Sequence, residues 1–268
     1  MKKYKLLLLT FVCISPLYSQ TPPNSEVFLK ETLGQHFIGQ SELLSQYDTT
    51  NFSSLWTRND DLILGFIGDN YQRIKIKFLK VIKKGKENNT YYVYGKSLVK
   101  SNICQFMGEI EIIHLREVID KERQQLYKEA IKQRDERAIE RFSKKEFILI
   151  AKYTFFEDIN QKGSGFFKGI TKSRLFLYKD KLSSYDTESL GDSYSNNQFV
   201  GIWTSYVTGV VKKCNWGVFR IPYSGDLDIG VGEFSPNPKY FQNGWYNYYK
   251  AFILNDKEAK IKELQSWW

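Results

Sequence analysis

The 268-residue chain is short of cysteine, histidine, methionine and proline, with three Cys, two His, two Met and six Pro. Two histidines leave little room for a histidine-based catalytic dyad or a histidine-rich metal site. The cysteines form no C-x-x-C pair, so neither a zinc finger nor a dithiol redox motif is present. No G-x-S-x-G marks a nucleophile elbow. Gly163-Ser164-Gly165 lacks the Gly-Lys-Ser/Thr that would make a phosphate loop. The apolar run Leu6–Ile14 falls short of the roughly 20 residues that a membrane-spanning helix needs.

What is present begins with targeting. Met1-Lys2-Lys3-Tyr4-Lys5, the apolar run and then Ser19 read as a secretory signal peptide over residues 1–19, cleaved after Ser19. Cys13 follows bulky Val12 and lies too early for a lipid-attachment cysteine. Removing the leader takes three Lys and no acid. That leaves 36 basic against 30 acidic residues, a balance of +6 instead of +9. The excess suits a weak attraction to anionic surfaces and falls short of a nucleic-acid footprint. The expected location is therefore exported: periplasm, outer surface or medium. No membrane span is expected after cleavage.

The exported chain keeps Cys104 and Cys214. In an oxidising compartment the two can pair, for about 4–5 kcal/mol on the loop-entropy model, or they can remain as two buried thiols.

Aromatics are plentiful: 19 Phe, 18 Tyr and 6 Trp, a composition that leans towards β structure. Period-2 alternation is clear where Ile74, Ile76 and Phe78 interleave with Arg73, Lys75 and Lys77. Strands are expected at 62–68, 73–78, 91–94, 107–114, 147–156, 166–178, 181–185, 199–206, 216–221, 227–234 and 245–254. A C-terminal helix is expected from Asp256. Residues 116–145, free of Gly and Pro and densely charged, predict one long helix with a narrow apolar stripe. The expected fold is mainly β: an antiparallel barrel or sandwich of about ten strands over residues 20–268, one domain, with the helix as an excursion.

Two segments, 65–112 (GFIGDNYQRIKIKF to FMGEIEI) and 195–234 (SNNQFVGIWTSY to GVGEF), resemble exported β-rich proteins of Bacteroidota that have no known activity. Phe199-Val200-Gly201-Ile202-Trp203 is similar to the Gly-x-Trp that opens lipocalin-like (calycin) barrels. The resemblance implies a secreted β-rich domain and a barrel.

Function is expected to reside in the aromatic- and glycine-rich stretch 196–245. Trp203, Tyr206, Trp216, Phe219 and Tyr223, with Asp228 and Glu233, are the candidate ligand-binding residues of a non-enzymatic barrel. Its partner would be a small ligand, a glycan or a protein. One alternative is a carbohydrate-active hydrolase using Asp226, Asp228 or Glu233. On a regular strand Asp228 and Glu233 would face opposite sides, which opposes a carboxylate pair. Another is an interaction protein working through the 116–145 helix. Asp226 and Asp228 beside Asn215 form no recognisable Ca²⁺ ligand ladder, so no metal or cofactor is implied.

Overall fold

In the computed structural model, which describes residues 21–57, 62–178, 181–183 and 194–268, neighbouring strands pair antiparallel all the way round a ring. Residues 1–19, expected to be a signal peptide, and with them Cys13, lie outside the described residues, as do 184 and 185 of the expected 181–185 strand. The strands are β1 (Ile63–Ile67), β2 (Gln72–Lys83), β3 (Thr90–Val99), β4 (Asn102–Glu117), β5 (Lys145–Glu157), β6 (Gly165–Tyr178), β7 (Lys181–Ser183), β8 (Asn196–Ser205) and β9 (Val211–Val218). Eight of them close the barrel, with β9 returning to β1 and β6 bridging β5 and β8. The short β7 pairs only with the tail of β6. The architecture is thus an up-and-down antiparallel barrel, and not a sandwich.

Alternation decides which side chains go inside. Ile74, Ile76 and Phe78 enter the lumen, with Tyr91, Phe106, Phe155, Phe167, Phe199 and Trp216 from the other strands. Bulges at Phe78/Lys80, Ile112/His114 and Asn196/Phe199 add the local bend and twist that closure demands. Glycine is required where rings cross the lumen. A Cβ at Gly201 would lie 2.3 Å from the Tyr153 hydroxyl, and one at Gly65 2.7 Å from the Trp216 Cβ.

Three corrections concern the expected strands. The described residues contain nine strands instead of about ten. Residues 227–234 form no strand: they carry the end of a 3-10 turn, Gly225–Leu227, and one isolated bridge from Asp228 to Pro236, because Asp228 and Arg220 tie this stretch into a side-chain-bonded loop. Residues 245–254 are helical, a short α4 (Tyr246–Tyr248) running into a π turn, Tyr249–Ile253.

The expected long helix is two helices, α2 (Lys121–Gln133) and α3 (Glu136–Ser143), since β4 runs on to Glu117. Arg134 takes a left-handed conformation (φ 57°), and the Asp135 carboxylate caps the second helix by accepting from the Ala138 N–H at 3.1 Å. The C-terminal helix is found as α5 (Lys257–Leu264).

Two segments clothe the outside of the barrel. Helix α1 (Pro23–Leu33) starts with proline at its first turn and stops at Gly34. It lays Phe28 on Ile148, Ile150, Ile170 and Val200 of the outer wall. The C-terminal coil covers Leu64 and Phe66 of β1 with Ile221, Leu227, Phe234, Tyr240, Trp245 and Tyr248. Helix α5 then locks on through Glu263, which takes both Arg73 guanidinium nitrogens at 2.9 and 2.7 Å.

Candidate binding groove on the outer wall

The lumen is filled. Segment 43–56 plugs one end with Leu44, Phe52, Leu55 and Trp56. Within, Trp216 stacks on Phe199 at 4.8 Å and meets Tyr153 edge-on at 5.4 Å. The void beside Trp56, Phe199 and Trp216 is about 10 Å³, the room of one water at most. Buried Trp56 Nε1, Tyr153 OH, Thr171 Oγ1 and Trp216 Nε1 have no hydrogen-bond partner.

Among the described residues the lumen also holds one acid, Glu157. It accepts from the Ser97 hydroxyl, from the Gly165 N–H at 2.9 Å and from Trp203 Nε1 at 2.9 Å. Burial raises its pKa, and these three donors only partly oppose the rise. A raised folded pKa favours the protonated acid, so its contribution is complete at low pH and is lost as pH climbs through the folded value. Glu157→Gln is therefore expected to narrow the stability difference between pH 5 and pH 8. Urea midpoints at the two pH values measure it, and an unchanged difference would remove Glu157 from the alkaline limb.

Cys104 and Cys214 are free and buried, contrary to the disulfide expected as one outcome. The reason is topological. β4 and β9 are four strand steps apart in either direction round the ring. They stand on opposite walls of a lumen full of aromatic rings, whereas a bridge needs Cα atoms within about 7 Å. Burial pushes the Cys104 thiol to about 11, with the Glu157 charge adding to it.

The sequence-predicted residues do not converge. Trp203 and Trp216 are lumenal. Tyr206 follows β8, its ring tilted over Phe166 at 6.1 Å. Phe219 lies beyond β9 against Tyr194 at 5.7 Å. Tyr223 sits edge-on to Phe28 at 5.9 Å and donates its hydroxyl to Glu31.

The acids are equally dispersed. Asp228 is bound by Arg220 at 2.6 Å and by the Gly230 and Ser235 N–H groups at 3.0 and 3.1 Å. These bonds read as loop scaffolding. Asp226 takes the Tyr240 hydroxyl at 2.7 Å and Lys239 at 3.1 Å, while Glu233 is exposed. Among the described residues no group of three His, Cys, Asp or Glu is placed to hold a metal.

The accessible concavity lies elsewhere, on the stretch of outer wall that neither α1 nor the C-terminal coil covers. It is a groove of about 1040 Å³ across β2, β3, β4 and β5. Register builds it in two rows. Lys80, Tyr94, Met107 and Phe156 face one another strand by strand, and beside them run Ile82, Tyr92, Glu109 and Thr154. Met107 is 67% exposed and Phe156 45%, unusual for side chains so apolar. A Cβ at Gly108 would lie 2.0 Å from the Thr154 carbonyl oxygen, so only glycine lets β4 approach β5 this closely.

Polar groups line the rings. Tyr94 donates to Gln105 at 3.2 Å. Lys84 stands 3.6 Å from Glu109 and 5.3 Å above the Tyr92 ring. Lys152 and Glu111 occupy facing positions.

No family model, curated protein or solved structure matches this chain.

The groove residues carry a signal that went unread. Tyr91-Tyr92, Phe155-Phe156 and Phe166-Phe167 are aromatic doublets inside strands. Successive strand residues point to opposite faces, so a doublet always puts one ring outside. Tyr91, Phe155 and Phe167 are the lumenal members, and Tyr92, Phe156 and Phe166 the outward ones.

Proposed function

We propose that the protein is an exported, non-enzymatic β-barrel that binds a glycan chain along the outer groove of β2–β5. The observation that carries this reading is the contrast between a filled lumen and an open, aromatic-lined outer wall. Ring faces (Tyr92, Tyr94, Phe156) suit the apolar C–H faces of sugar rings. Gln105, Thr154, Glu109, Glu111 and Lys152 supply donors and acceptors for hydroxyl groups. Charges along the groove are of both signs, which favours an uncharged chain over a polyanion. The volume exceeds that of a pocket for one small ligand, which favours an extended occupant. Export by the leader at 1–19, and the likeness to exported β-rich proteins and to calycins, belong to the same proposal.

Titration calorimetry with neutral oligosaccharides of increasing length tests it. Affinity should grow with length, and Tyr92→Ala or Phe156→Ala should each weaken it about tenfold, the worth of one stacked ring. Equal affinity in wild type and both variants would sink the assignment.

A further inference from the structure

The four connections β1–β2, β3–β4, β5–β6 and β8–β9 all emerge at one end of the barrel, because consecutive strands run antiparallel. Hairpin tips of a protein surrounded by water are ordinarily polar. The β8–β9 tip reads Tyr206-Val207-Thr208-Gly209-Val210, leading into Val211 at the start of β9. Val207 is 87% exposed, and Val210 and Val211 are about half exposed.

Next to it, the β5–β6 loop presents Ile159, 72% exposed. The two loops are joined where the Tyr206 N–H donates to the Ser164 carbonyl at 3.2 Å. The β5–β6 loop also reaches β4, with the Asp158 N–H on the Gln105 carbonyl at 3.0 Å, close to exposed Ile103. The apolar tips thus share one end and project outward.

Lysines surround them. Lys100 and Lys162 are exposed on these connections, against Asp69 and Asp158, and Lys212 and Lys213 are exposed at the adjoining start of β9. Lys213 is 3.3 Å from Asp69, and Lys212 lies 5.7 Å from the Trp203 ring. With the start of β9 included, the balance at this end is four cations to two anions.

From this pattern we infer that the loop end docks on an anionic phospholipid surface. Valine and isoleucine tips would enter the acyl boundary, with lysines at the headgroup level. A separated set of projecting tips fits a deformable surface better than it fits a shaped protein partner. Spanning is a different matter. The lumen is apolar and the outer wall carries Lys75, Lys77 and Lys80, the reverse of a barrel that crosses a bilayer. The inference stands apart from the groove: Gln105 and Asp158 at the groove's edge are shared, and no apolar tip and no residue changed below lines it. Docked in this way, the barrel would hold the β2–β5 groove along its side, open to solvent.

Sedimentation of the leader-free protein with vesicles is the test. One set is phosphatidylcholine alone and the other contains phosphatidylglycerol. Wild type should partition onto the anionic vesicles and be released by added salt. The double variant Val207→Asp with Val210→Asp should lose at least about tenfold in partition coefficient on them. Lys100→Glu with Lys162→Glu should weaken binding on the anionic vesicles and leave the weak binding to phosphatidylcholine unchanged. Unchanged near-ultraviolet circular dichroism confirms folding. Val207→Trp, which keeps the tip apolar, should be quenched by brominated lipid. Three results would each overturn the proposal: no binding of wild type to anionic vesicles, binding indifferent to Val207→Asp with Val210→Asp, or a self-association abolished by that variant in the absence of lipid binding. The last would assign the surface to a second copy of the chain.

Discussion

Glu263→Ala is expected to destabilise the protein by about 3–5 kcal/mol, the cost of leaving one member of a buried ion pair alone. Arg73 lies on β2 with its guanidinium 5.2 Å from the Trp245 ring and 5.4 Å from Tyr248, where water cannot replace the lost carboxylate. Glu263 also receives Lys75 at 3.2 Å and Asn247 Nδ2 at 2.8 Å, so several donors lose their acceptor together. The matched replacement of both partners, Arg73→Met with Glu263→Leu, should recover most of the loss. Urea unfolding of the two variants and wild type measures it, and a cost under about 1 kcal/mol for the single change would refute the lock.

The same pair sets the acid limb. Burial on its own would raise the Glu263 carboxyl. The Arg73 hydrogen bonds and the charges of Arg73 and Lys75 outweigh it and hold the group at about 2, below the ordinary 4.5. A depressed folded pKa means that the stabilisation is full above about pH 4.5 and drains away as pH falls towards 2. Wild type should lose stability steeply across that window, and Glu263→Ala should lose much less.

Trp216→Ala should cost a similar amount, about 3–5 kcal/mol, by a different route. The indole is the largest fully buried side chain of the lumen, and its neighbours come from four other strands: Gly65, Tyr153, Phe167 and Phe199. Ridges of rings held by strand pairs cannot collapse freely into the space. The variant should therefore keep a cavity and bind indole or benzene, as dry apolar cavities do. Thermal unfolding with and without added indole measures both effects. If the variant unfolds as wild type does, Trp216 is not the keystone of the lumen.

Legibility of the fold in the sequence followed the strength of each local signal. The alternation of Ile74, Ile76 and Phe78 with lysines is a two-residue period set by backbone geometry, and it read correctly. The break at Arg134-Asp135 was hidden because neither residue is a helix breaker by type. The cap works through the Asp135 side chain and the left-handed turn before it. Trp245, buried between the coil and β1, looked like a strand residue because apolar content alone does not separate a short strand from a covering helix. Cys104 and Cys214 were a question of distance, which no spacing encodes until the ring order is known.

The candidate site was missed for a related reason. Aromatic density pointed to 196–245, where the rings fill the lumen or brace the C-terminal coil. The outward rings are sparse in sequence, one or two per strand. They meet only when β2, β3, β4 and β5 lie side by side. Asp226, Asp228 and Glu233 stood out as acids, and two of the three serve loop geometry.

Ring order has a kinetic side. Every ring pairing joins strands that follow one another along the chain, β6 to β8 across the short β7, except the last, in which the five residues of β1 meet β9 about 150 positions later. The hairpins can therefore zip in sequence at low loop-closure cost, and the seam between β1 and β9 bears the single large entropic penalty. Until that seam shuts, both of its edges stand open to other chains. The C-terminal coil that lies over β1 can press on its outer face only once the ring exists. The slow step and the step that removes the aggregation hazard are then one and the same.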